Sequence, residues 1–89
     1  MLFMVVERLK DAEAVYRRMG ERGRMLPEGL TYVDSWTETN FDRCFQLMEC
    51  DDASLFHKWI IHWRDLVEFE IVPVIESKQA AKSIETKEK

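Results

Sequence analysis

Residues 30–50 read LTYVDSWTETNFDRCFQLMEC. Thr, Tyr, Val and Trp crowd positions 30–38, while Cys, Phe, Leu and Met crowd positions 43–50. Between them, Thr39, Asn40, Phe41 and Asp42 have the composition of a turn. β-Branched and aromatic side chains suit a pleated, half-buried surface, and Asn and Asp suit tight turns. The stretch therefore predicts a β-hairpin in the middle of the chain.

Upstream, residues 1–7 (MLFMVVE) are apolar and β-branched up to a closing charge, which predicts a buried strand. Asp11 is placed to cap a helix whose Ala12, Val15, Tyr16 and Met19 recur at helical spacing. Gly20, Gly23, Pro27 and Gly29 are expected to end it. Downstream, Asp51 and Asp52 offer a second cap before the stripe Leu55, Phe56, Trp59, Ile60 and Trp63, which predicts a second helix. Residues 66–74 (LVEFEIVPV) alternate as a half-buried strand does, with Pro73 best tolerated at a sheet edge. Residues 76–89 are polar except for Ile84 and predict a frayed or weakly helical tail.

The order is β-α-β-β-α-β, an α+β ferredoxin-like domain over residues 1–75 followed by the tail 76–89. Right-handed crossovers put both helices on one face of a four-stranded antiparallel sheet, with the first and third strands central. The other face is left open. Alternation predicts Val33, Phe45, Leu47, Val67, Phe69 and Ile71 beneath the helices. It places Tyr32, Asp34, Trp36, Gln46 and Met48 on the open face.

At 89 residues with 46% hydrophobic and 34% charged side chains, the chain has the composition of one small folded domain, for which association adds to a modest core. The net charge of −4 argues against a dedicated nucleic-acid binder. Arg8, Lys10, Arg17, Arg18, Arg22 and Arg24 cluster early and read as a solvated helix face, with a phosphate or carboxylate site as the rival reading. Met1–Val6 is too short to span a bilayer and has no basic segment before it, so a cytoplasmic location without a membrane partner is expected. Cys44 and Cys50, six apart on one strand, are too far separated to bridge and are expected as free thiols.

The stretches EAVYRRMGERGRMLPEGLTYVDSW, DRCFQLMEC and DLVEFEIVPV resemble an uncharacterised bacterial family, the DUF3303 domain of unknown function, over about residues 1–76. That family resembles the dimeric α/β-barrel group, whose protomers pair sheet against sheet. The resemblance implies the fold and a homodimer formed through the sheet face. It carries over no functional residue.

Chemical motifs are sparse. His57 and His62 are five apart and diverge on a helix, whereas a helical metal pair needs four. The RNA-recognition signature, the CxxC metal loop and the P-loop are absent from the sequence, so no cofactor or metal is expected. Glu68 and Glu70 share a strand face at a separation compatible with paired-carboxylate chemistry, but edge-strand charge explains them more simply. Tyr32, Asp34, Trp36 and Gln46 remain. Aromatics with one carboxylate and one amide suit either the anchors of a dimer interface or a small-ligand pocket at its edge. The sequence thus predicts a homodimeric module with a small ligand at the open face. The alternative is a cofactor-free enzyme, monooxygenase- or isomerase-like, acting on a small apolar metabolite with Asp34 as base and Gln46 or Tyr32 orienting.

Overall fold

A computed structural model describes residues 1–87. Strands β1 (Leu2–Leu9), β2 (Thr31–Thr37), β3 (Arg43–Glu49) and β4 (Val67–Val74) alternate with helices α1 (Ala12–Arg22) and α2 (Leu55–Ile60), and α3 (Ser77–Lys87) follows. The sheet order is β2-β3-β1-β4, antiparallel at every junction. This is the expected ferredoxin-like arrangement, with Pro73 on an edge strand.

Asp11 caps α1 as its position implies, Oδ1 accepting from the Ala14 amide at 3.1 Å. The helix runs through Gly20 and stops at Gly23, whose φ of 70° lies in the left-handed region open to glycine. The Gly23 amide donates to the Met19 carbonyl. On the second crossover, Asp52 acts ahead of the helix, accepting from both the amide and the hydroxyl of Ser54. α2 is shorter than the apolar stripe suggests. It ends at Ile60, and Trp63 sits in the following turns.

Val15 from α1 and Phe56 and Trp59 from α2 bury against Phe3, Val5, Met48 and Val67, so both helices cover one sheet face. Edge-to-face ring pairs link Phe3 to Phe56, Phe56 to Trp59, and Trp59 to Phe69 through that core. Residues 77–87, read from sequence as a frayed or weakly helical tail, form a regular helix. Residues 88 and 89 of that tail lie outside the described residues.

The faces of the hairpin differ from expectation. Phe3, Val5 and Glu7 of β1 stand opposite Met48, Gln46 and Cys44 of β3. Gln46 and Met48 therefore lie beneath the helices, and Phe45 and Leu47 lie on the open face, the reverse of the alternation reading. β3 is apolar on both faces, so hydrophobicity alone could not orient it, and the register with β1 decides. β2 carries a bulge, its pairing stepping from Tyr32↔Met48 to Asp34↔Leu47. The extra residue, Val33, is half exposed. Tyr32 consequently faces the helices while Asp34 and Trp36 face the open side. Val67, Phe69 and Ile71 pack as expected.

Candidate functional site

The four residues singled out in the sequence do not converge. Asp34 and Trp36 are exposed on the open face, where the Asp34 carboxylate accepts from the next amide, that of Ser35, at 2.8 Å. Tyr32 and Gln46 are on the opposite side, where the Tyr32 and Ser35 hydroxyls are 2.7 Å apart.

The open face is an apolar field with charge at one end. Met4, Val6, Phe45 and Leu47 are partly buried there, and Val72 and Trp36 are exposed. Arg8 stands opposite Arg43 on one side and Glu68 on the other. Two guanidiniums on neighbouring strands repel, and the Glu38 carboxylate relieves Arg43 by accepting its Nε and Nη2 at 3.1 and 2.9 Å. Glu70 lies opposite Val6. A shallow notch of about 200 Å³ separates these groups.

A different site lies under α1. β1 alternates inward through Phe3, Val5 and Glu7, so strand geometry carries a carboxylate into the helix-covered layer. Glu7 is 6% exposed and Gln46 4%. Burial raises the Glu7 pKa above the ordinary carboxylate value, opposed by hydrogen bonding from Gln46 and Cys44 and by the charge of Arg24. Burial also pushes up the Cys44 thiol, and the nearby Glu7 charge adds to that.

Arg24 reaches this layer because the loop after α1 is pinned from beneath. The indole nitrogens of Trp59 and Trp63 both donate to the Arg24 carbonyl, at 2.9 and 3.1 Å. Its guanidinium lies over the Tyr32 ring, 3.6 Å from the centroid. Two buried polar atoms here lack hydrogen-bond partners among the described residues: Nε of Arg24 and Oε1 of Gln46. Glu7, Arg24 and Gln46 together line a cleft of about 80 Å³ and its 20 Å³ extension toward Trp59 and Trp63. On its wall, the Tyr16 and Thr37 hydroxyls are 2.9 Å apart and join α1 to β2.

Buried polar groups are nearly always paired, so two orphans and a buried carboxylate in one cleft mark a place where something can bind. A broad groove beside Tyr16 and Phe41 is larger, at about 610 Å³. Its aromatic residues are exposed and none of its polar atoms is buried without a partner.

The early arginines do not form one anion site. Arg18 pairs with Asp65, Arg24 enters the cleft and Arg8 lies on the open face. His57 and His62 are exposed, and Cys44 and Cys50 are buried free thiols. No group of three or more potential metal ligands occurs among the described residues. No helix among them is long and apolar enough to cross a membrane.

The sequence profile described as Domain of unknown function (DUF3303) matches residues 1–88. The chain belongs to that family. No curated protein and no solved structure matches it. DUF3303 membership assigns no chemistry to the cleft. The sequence reading does not single out Glu7, and it names Arg24 only as one member of the early basic cluster. The alternation Phe3, Val5, Glu7 was a legible signal for the first. Nothing local sets Arg24 apart from the other arginines, because the tryptophans that place it are far along the chain.

Proposed function

We propose that this DUF3303 protein is a homodimeric module that binds a small ligand in the cleft beneath α1, at Glu7, Gln46 and Arg24. The observation that carries the reading is the pair of orphaned polar atoms beside a buried carboxylate. It moves the ligand expected at the open face to the other side of the sheet. Gln46 lines the cleft and Tyr32 lies beneath the Arg24 guanidinium, while Asp34 and Trp36 belong to the dimer surface instead.

The homodimer is supported by the open face, a patch that solvent does not normally meet. Its apolar middle and its Arg8, Arg43, Glu68 and Glu70 end let a second copy, turned by a two-fold axis, match apolar to apolar and acid to base. The buried free thiols fit a reducing, cytoplasmic setting. A second reading, catalysis without a cofactor, is favoured by the raised Glu7 pKa, which suits a proton-transfer group better than exposed Asp34 does.

A fragment titration followed by amide NMR tests the ligand reading. Shifts should cluster at Glu7, Cys44 and Gln46, and shifts confined to the open face would refute it. Size exclusion with light scattering tests the dimer, and a clean 10.6 kDa species at high concentration would refute that part alone.

A further inference from the structure

Resting on the cleft as the ligand site, we infer that it takes a small uncharged molecule that carries both a hydrogen-bond donor and an acceptor, such as a hydroxyl and a carbonyl. The unfilled positions define the pattern. Arg24 Nε–H offers a donor, Gln46 Oε1 offers an acceptor, and both atoms are buried and unpartnered. A carbonyl oxygen on the ligand satisfies the first, and an O–H or N–H of the same molecule satisfies the second.

Charge removes the other classes. An anion drawn to Arg24 meets the Glu7 carboxylate in the same cleft, and a cation drawn to Glu7 meets the guanidinium. The two side chains make no ion pair with each other among the described residues. A neutral dipole can lie between them and gain from both. Size sets a ceiling, since about 80 Å³ holds roughly three waters' worth of volume and admits only a molecule of a few non-hydrogen atoms. Val15 and Met19 give the carbon end an apolar wall.

The test is an NMR titration of the full chain, read at the Gln46 side-chain amide and the Glu7 and Cys44 backbone amides. The probes are hydroxyacetone, acetamide, acetone, acetate and methylammonium. Hydroxyacetone and acetamide should give saturable shifts. Acetone, lacking the donor, should bind about tenfold more weakly, as should both ions. Gln46→Met should weaken hydroxyacetone by about tenfold. Should that variant fail to fold, Arg24→Met makes the same test from the donor side. Acetate or methylammonium binding as tightly at these residues overturns the neutral class and leaves the cleft standing. Silence at these resonances with every probe overturns both.

Discussion

Trp59 and Trp63, one turn apart, direct their indole N–H groups to a single backbone oxygen, that of Arg24. This convergence ties the second crossover to the loop of the first and fixes the side chain that enters the cleft. Trp63→Phe keeps most of the apolar bulk and removes one donor. It should cost about 1 kcal/mol for the hydrogen bond, plus the smaller ring's lost contacts. Trp59→Ala removes a ring packed between Phe56 and Phe69 and should cost about 3–5 kcal/mol. Denaturant melts of both variants measure this, and equal losses would mean that the Arg24 carbonyl matters more than the packing.

Glu7 makes stability depend on pH. Its folded pKa is raised, so the native state holds its proton more tightly than the unfolded chain does. That contribution is fully present below the unfolded carboxylate value. It is lost as pH climbs from there through the folded value. Glu7→Gln should remain flat across that window and be at least as stable as the parent above it. Parallel melts at pH 4 to 8 decide the matter, and superimposable profiles would show that the carboxylate is solvated in the folded state.

Asp65 acts in the opposite sense. Arg18 holds it by two hydrogen bonds of 2.8 and 2.7 Å, and these lower its pKa to about 2. Stability from this pair is present above the unfolded Asp value and fades as pH falls toward about 2. Asp65→Asn should therefore lose stability at neutral pH and show a shallower acid limb. An unchanged acid limb would assign that limb to other carboxylates.

Trp36 tests the proposed dimer. It is 52% exposed and lies opposite Phe45 on the open face. Trp36→Ala should leave monomer stability within about 0.5 kcal/mol, yet weaken the dimer by about 2 kcal/mol or more. The melting temperature of the parent should rise with concentration and that of the variant should rise less. Asp34→Asn, at the same exposed face, should be silent in both measurements.

Among the described residues, α3 contributes none to the buried core. Truncation after Lys78 should leave the melt within a few degrees of the full chain. A much larger loss would show that the helix crosses to pack on a second copy.

Periodicity alone determined the order of elements here. The cap at Asp11, the stripe from Leu55 and the alternation Val67, Phe69, Ile71 are local patterns, and each marks an element of the predicted type, although the helix of the stripe stops at Ile60. The sidedness of the hairpin was a tertiary decision. Tyr32 and Asp34 are two apart and alternation puts them together, but the bulge at Val33 sends them to opposite faces. β3 presents Phe45 and Leu47 on one side and Cys44 and Met48 on the other, so neither side is marked as the core by hydrophobicity. Its partner β1 settles the matter, because Val5 must meet the helices and Gln46 is its cross-strand neighbour. The cleft follows from that register and from two tryptophans holding a loop thirty-five residues or more away. Pairing across the chain is set by the sum of contacts, which no window of sequence contains.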